Sequence, residues 1–375
     1  MGWGGKNMQD VKVSILPKKL YVESIKRADE CFDRYMFHVV LQNKTHGGIR
    51  AERVDLVLKN PAYGSKLIQV FERDLLSQLF SQSQRFVEDS DVGTLDIAPG
   101  RMRGIVGYRI ECEGALQFTE VECNFFGRLP DSNSVMGLQR RALCRDAAQT
   151  ALTLPLRGRW VVGGHSRLEP HSRSYLHAIT YAYDFIQIGE NGKSYRGEGI
   201  KNSDYYSYNQ PVLAAAEGCV ILANDGVQEN IPSKTPQNDP ECYDDPFSIP
   251  MAGNHVVVKH SDDEFTFYAH LRPRLAVAVG QEVQSGQMLG YVGNSGESTE
   301  PHLHFHLADG PTLDSSYGIP ISFVNWKEDA FSITPATVER GIILSREFIE
   351  SVDDNQSLGS DITAQADIFG AVGVE

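Results

Sequence analysis

No run of apolar residues in this chain of 375 residues approaches the roughly 18 to 20 positions that a membrane-spanning helix needs. A helical membrane span is therefore not expected. The amino-terminal stretch MGWGGKNMQDVKVSILPKKLYVES has no continuous apolar core of the kind that a secretory leader carries. Read alone, it points to the cytoplasm. Positive charge is also in short supply. Lys and Arg number 35 against 49 Asp and Glu, giving a formal net charge of −14 and a pI near 5.3. A nucleic-acid binder needs a basic surface, so that class of partner is excluded. Cysteine is scarce: Cys31, Cys112, Cys123, Cys144, Cys219 and Cys242 include no CxxC pair, which argues against a structural zinc site built from cysteines. The spacing of Cys112 and Cys123 allows them to face each other across a hairpin, and most of the six read as buried free thiols.

What is present fits a soluble globular protein, with 41% hydrophobic and 22% charged residues. The length suits two domains, and the expected fold class is mainly β. Residues 1–150 read as a β-sandwich-like domain of unknown role. Tyr35, Phe37, Val39 and Leu41 alternate, as do Val54, Leu56 and Leu58, and again Val106, Tyr108, Ile110 and Cys112. A parity slip at Thr119–Glu120 suggests a β-bulge. In SKLIQVFERDLLSQLF, Leu67, Phe71, Leu75 and Leu79 recur every four residues, the spacing of a helix. Residues 151–330 read as a curled antiparallel sheet. Gly280 and Gly286 sit where tight turns need positive φ. A segment rich in Pro, Asp and Asn between Ala223 and Gly253 reads as a surface excursion. Residues 331–375 read as an extension and acidic tail, and the part after Glu347, with its acids and no base, reads as solvated and without fixed structure.

The densest chemistry lies in STEPHLHFHLAD, residues 298–309. His302, His304 and His306 alternate with Leu303, Phe305 and Leu307. A period of two is that of a β-strand, so the histidines share one face and the apolar residues share the other. Two imidazoles on one strand face can share a metal, or one can ligate while its neighbour handles protons. Further ligands must come from elsewhere. In FTFYAHL, Thr266, Tyr268 and His270 share a face by alternation. In YAYDF, Asp184 stands among Ala182, Tyr183 and Phe185, where a carboxylate is costly unless paired or metal-bound. His165, His171 and His177 lie upstream.

NQPVLAAAEGCV, GNHVVVKH, FYAHL, VAVGQEVQSGQMLGYVGNSGEST and PHLHFH follow one another in the order of the lysostaphin-type zinc metallopeptidases, over roughly residues 155 to 325. The chain resembles that family. One element, VGQEVQSGQMLG, also resembles a lipoyl or biotin carrier turn, but no Lys stands at the hairpin tip. The resemblance implies a zinc peptidase domain in residues 151–330 acting on peptides of the bacterial cell wall. It implies zinc ligands His304, Asp184 and an upstream histidine, and catalytic groups His302 and His270. His177 is the first choice for the upstream ligand, with His171 next, and His165 or a residue other than histidine behind it. His177 precedes Asp184 by seven residues rather than the family's usual four, so a regular strand would point the two to opposite faces. Glu300 stands where the family usually has Gly, and His306 where it has an acid. Such a zinc keeps an open fourth position for water. The implied partner is a peptide or peptidoglycan substrate, which places the protein in the periplasm or outside the cell. The alternative is an inactive family member that binds peptide or cell wall or regulates a partner. A zinc peptidase acting on an unrelated substrate is a third reading. The sequence is silent on oligomeric state.

Overall fold

The computed structural model describes residues 10–27, 30–62, 64–81, 94–113, 117–131, 133–145, 148–165, 177–232, 249–313, 315–321, 323–324, 326–329 and 347–351. The chain separates near residue 146 into two compact units. Both are built mainly from antiparallel strands.

The first unit contains β1 (Val11–Leu16), β2 (Leu20–Arg27), β3 (Glu30–Asn43), β4 (Ile49–Asn60), β5 (Ser65–Glu72), α1 (Arg73–Ser81), β6 (Asp96–Ile97), β7 (Met102–Glu113), β8 (Glu120–Arg128) and β9 (Ser134–Cys144). The strand order is β1-β3-β2-β9-β8-β4-β5, with β6 on β4 and β7 on β3. Alternation works as expected: Tyr35, Phe37, Val39 and Leu41 from β3 and Val54, Leu56 and Leu58 from β4 are buried in one core. Side chains of this size each contribute about 1.5 to 3 kcal/mol when fully buried.

Three local expectations are corrected here. The period-four segment is helical only in its second half. Ser65–Glu72 pairs with β4 at all eight positions, and the helix begins at Arg73, burying Leu76 and Phe80 rather than Leu75 and Leu79. A spacing of four is even, so Leu67 and Phe71 also satisfy a strand's period of two. Cys112 and Cys123 do not face each other: β7 pairs with β3, while β8 lies between β4 and β9. Both thiols are free. The parity slip at Thr119–Glu120 is the start of β8, not a bulge within it, since the strand begins at Glu120. Thr119 is tied beside it by bonds between its N–H and the Lys59 carbonyl and between the Leu143 N–H and its own carbonyl.

The second unit contains β10 (Arg159–His165), β11 (Tyr183–Ile186), β12 (Pro211–Leu213), β13 (Gly218–Asn224), α2 (Ile249–Ala252), β14 (Asn254–Ser261), β15 (Glu264–Leu271), β16 (Glu282–Val283), β17 (Met288–Tyr291), β18 (Leu303–Ala308), β19 (Gly318–Ile319), β20 (Trp326–Asp329) and β21 (Glu347–Ser351). The sheet order is β16-β13-β14-β15-β18-β11-β10-β21-β20, with β12 and β17 paired separately. β18 therefore has a neighbour on each side, β15 and β11. Leu303, Phe305 and Leu307 are fully buried, and Phe305 packs on Tyr268 and Phe323 with ring centroids 5.2 and 5.8 Å apart. Gly280 and Gly286 adopt φ of 86° and 79°, as tight turns require. The acidic extension is not all tail. Its residues Glu347–Ser351 form an inner strand between β10 and β20, because main-chain pairing on both sides satisfies the backbone whatever the side-chain charge. The rest of the expected tail, and residues 233–248 of the expected excursion, lie outside the described residues. No described helix is long and apolar enough to cross a membrane.

Candidate active site

The histidine strand forms where alternation puts it, but its polar face is not uniformly open. In the β15–β18 register Phe267 lies opposite His306 and Ala269 opposite His304. In the β11–β18 register Asp184 lies opposite His304. Cross-strand partners share a face, so Asp184 and His304 meet on one rung. The side chains of His302 and His304 retain 14% and 15% of their exposure. His306, by contrast, is 1% exposed and stacks on Phe267 with centroids 4.3 Å apart.

Asp184 Oδ1 lies 2.8 Å from His304 Nδ1 and 3.7 Å from His302 Nε2. Burial by itself would raise the Asp184 pKa. The hydrogen bond from His304 and the nearness of the His302, His304 and His270 imidazoles outweigh it and hold the carboxyl well below the usual carboxylate range. The carboxylate whose place among apolar neighbours was costly is thus paired.

His270 reaches the site by a route that alternation does not foresee. Tyr268 lies opposite Val256, and Leu271 opposite Asn254, with a register shift between them. Ala269 and His270 thus stand against the single residue His255, which is a β-bulge. His270 takes φ of 62°, a left-handed conformation costing a non-glycine residue about 1 to 2 kcal/mol. Strict alternation would send His270 to the side of Tyr268 and Phe305. Instead its ring lies 4.7 Å from that of His302 and 5.7 Å from that of His304. Its Nδ1 is 2.9 Å from the Ser295 carbonyl oxygen, and His302 Nδ1 is 2.8 Å from the Glu300 carbonyl oxygen. Burial, then the charges of His302 and His304, push the His270 pKa well below 6.5.

His304 Nε2 is 3.0 Å from His306 Nδ1, so the residue that replaces the family's usual acid braces His304 from behind. His306 Nε2 is buried without a hydrogen-bond partner. Glu300, the other departure, accepts a hydrogen bond from Ser194 Oγ at 2.8 Å. It pins the segment around residue 194 to the chain beside His302.

The third ligand is the open question of the site. His177 begins a short 3-10 turn, His177–Ile179, which packs against β18 with Ala178 buried beside Phe267 and Ala308. The side chains of His177 and His165, and His171 altogether, lie outside the described residues. Among the described residues no group of three or more His, Cys, Asp or Glu side chains is arranged to hold a metal ion. The two described candidates fit zinc in kind, since it takes imidazole nitrogen and carboxylate oxygen, and they aim those atoms at each other. Residues that sequence reading missed are Glu229, Asn230 and Ser298, which brace the segment Asn294–Glu300. Asn230 sits in the polar excursion, where no periodicity marks a position as special.

Fold and site together define a mainly β protein with an aspartate–histidine cluster set on the inner strands of an antiparallel sheet. Residues 203–314 match the model of Peptidase family M23. The match is narrower than the span of the quoted motifs: it includes His270, His302 and His304 but not Asp184 or the upstream histidines. The chain is 40% identical over 93 residues to the cell division protein DipM of Caulobacter vibrioides, covering 24% of this chain and 15% of that protein. It is 47% identical over 58 residues to the peptidoglycan DD-endopeptidase ShyA of Vibrio cholerae, covering 16% of this chain and 13% of that protein. The aligned part thus spans only a small fraction of these relatives. Among solved structures the chain is similar to the M23 metalloprotease pseudoalterin, at 21% identity and a TM-score of 0.28 over 49% of this chain and 84% of that one. That likeness is too distant to bear on the chemistry.

Proposed function

We propose that the second unit is a zinc-dependent endopeptidase that hydrolyses peptide bonds of peptidoglycan, in cross-bridges or stem peptides. The observation that carries this reading is the convergence of Asp184, His270, His302 and His304, from three different strands and their flanks, on one point. His304 and Asp184 hold the metal in this reading, with His177 as the third ligand and His171 behind it. When bound, zinc polarises the scissile carbonyl and lowers the pKa of a water molecule. The chain's own groups do the rest. A carbonyl oxygen can only accept, so His302 and His270 each carry a hydrogen on Nδ1 and present a bare Nε2. His302 Nε2 takes the proton of the attacking water and returns it to the leaving amine. His270, the second catalytic group of this reading, holds its ring 4.7 Å from that of His302.

The name of ShyA, a peptidoglycan DD-endopeptidase, supports a peptidoglycan substrate, and such a substrate lies in the periplasm or outside the cell. The division into residues 1–150, 151–330 and 331–375 belongs to the same proposal, with the first unit assigned no role.

The test is mass spectrometry of peptidoglycan fragments incubated with the full chain, with added zinc and with a chelator. Zinc-dependent cleavage is expected. His302→Ala should keep its zinc and lose about 10²- to 10⁴-fold in rate, the usual worth of a proton-transfer group. A zinc-loaded wild type that cuts no fragment would replace this reading with a non-catalytic binding or regulatory module.

A further inference from the structure

Both candidate proton-transfer histidines are oriented by one short segment, Asn294–Glu300. His270 Nδ1 donates to the Ser295 carbonyl at 2.9 Å, and His302 Nδ1 donates to the Glu300 carbonyl at 2.8 Å. Two carbonyls only five residues apart therefore fix the tautomer of both rings. Each ring keeps its hydrogen on Nδ1 and turns a lone pair at Nε2 toward the site. The arrangement works only while the segment holds its shape.

One buried side chain secures its middle. The Asn230 carboxamide gives one hydrogen to the Gly296 carbonyl at 2.7 Å and the other to the Ser298 carbonyl at 2.9 Å. Asn230 is 2% exposed. Its main-chain N–H donates to the Asn294 carbonyl at 2.7 Å, and its carbonyl lies within 3.4 Å of the Asn294 carboxamide. The same residue thus touches the segment at its start and at two points along it. Ser298 Oγ then donates to the Glu300 carbonyl at 2.9 Å and lies 3.2 Å from His302 Nδ1. At the other end Ser295 Oγ donates to the Leu271 carbonyl at 2.8 Å, next in the chain to His270.

We infer that Asn230 is a positioning residue that sets the tautomers of His270 and His302 together, by holding the segment whose carbonyls receive their Nδ1 hydrogens. The inference deepens the peptidase reading and rests on it for the roles of the two rings. The geometry and the tautomers can be tested without cleavage. Asn230 touches neither ring. Its carboxamide fits because two acceptors face it and a primary amide carries two hydrogens. A carboxylate of the same shape would face both carbonyls with no hydrogen to give.

The experiment is nitrogen-15 NMR of the full chain, wild type and Asn230→Ala, with labelled histidine and with resonances assigned by His270→Gln and His302→Gln. Wild type should show both rings with hydrogen on Nδ1. Asn230→Ala should show both rings averaging between tautomers. Its cleavage rate, where wild type cleaves, should fall about 10- to 100-fold in kcat with KM little changed, the usual range for a residue behind an active group. Ser298→Ala should disturb His302 and leave His270 as it was. Should Asn230→Ala not fold, Asn230→Asp is read in the same way. Rings that keep Nδ1–H in the folded Asn230 variant overturn the inference, as does either ring carrying its hydrogen on Nε2 in wild type. A wild type that shows the expected tautomers but never cleaves leaves this inference standing and removes the peptidase reading.

Discussion

Each unit places a carboxylate on an inner strand and holds it ionised, but with different partners. Glu122, on β8, would be raised by burial. Hydrogen bonds from Asn124, Lys59 and Arg140 bring it down to about 2, at distances of 3.1, 2.9 and 2.5 Å. Asp184, on β11, is also pushed downward against its burial, but by imidazoles. Lys59 and Arg140 carry their charge throughout the physiological range and offer nothing to exchange. Histidines can surrender a proton or accept a metal in its place. A depressed carboxylate alone therefore does not mark a functional site, because ion-pair networks produce the same shift. What separates the two is whether the partner can change state.

The sharpest way to break that comparison is a matched pair of isosteric substitutions. Asp184→Asn should reduce bound zinc to background and abolish cleavage, with the circular dichroism of the β core retained. Glu122→Gln should leave both untouched. Equal behaviour of the two variants would dissolve the distinction. A third carboxylate extends the series. Glu264 is buried and accepts from Gln149 N, Thr150 N and Thr150 Oγ1 at 2.6, 2.8 and 2.5 Å. Its partners are neutral main-chain and hydroxyl groups, so its role is structural. Glu264→Ala strands three donors, and a loss of about 3 kcal/mol is expected, which calorimetry should record as a fall of roughly 6 to 12 °C in Tm.

A smaller effect follows from acid titration of Glu122. Its folded pKa lies below its unfolded value of 4.5, so the folded state binds its proton less readily. The stability this supplies is complete above about pH 4.5 and drains away as the pH falls toward 2. Urea midpoints at pH 5 and pH 2.5 should differ more in wild type than in Glu122→Gln, which should itself cost about 1.5 to 2 kcal/mol at neutral pH. Smallest is His260. Burial pushes its pKa below 6.5 against the pull of the Glu217 carbonyl and the Glu264 charge. The folded state therefore resists its protonation, and stability should decline as the pH drops below about 6.5. His260→Gln should flatten the Tm profile there.

Most of the site could be read from residue types and parity. Three histidines at a period of two with buried partners between them make a strand, and Asp184 among aromatics had to find a cation or a metal. The position of His270 was not legible. A bulge changes parity through one residue's φ, and nothing in FTFYAHL announces that a histidine will take a left-handed conformation. The strand Ser65–Glu72 was lost for a related reason, because Leu67 and Phe71 fit either period. Asn230 acts through main-chain carbonyls, and a main-chain carbonyl leaves no trace in residue identity.

The hairpin of β14 and β15 contains a second irregularity, and the two belong together. Ser261 lies opposite Glu264, yet Lys259 lies opposite Phe265, so β14 has one extra residue, His260. At the far end β15 has the extra one, Ala269–His270. The two insertions cancel. The hairpin leaves its far end in the frame in which it began, and only the stretch Phe265–Tyr268 is displaced by one place. A single deletion at either bulge would slip the pairing of the two strands by one place. Deleting His260 and His270 together would restore an unbroken ladder while emptying the position beside His302. Register in this hairpin is thus preserved only by paired changes, and the pair that removes His270 would produce a well-zipped sheet with a missing histidine at its centre.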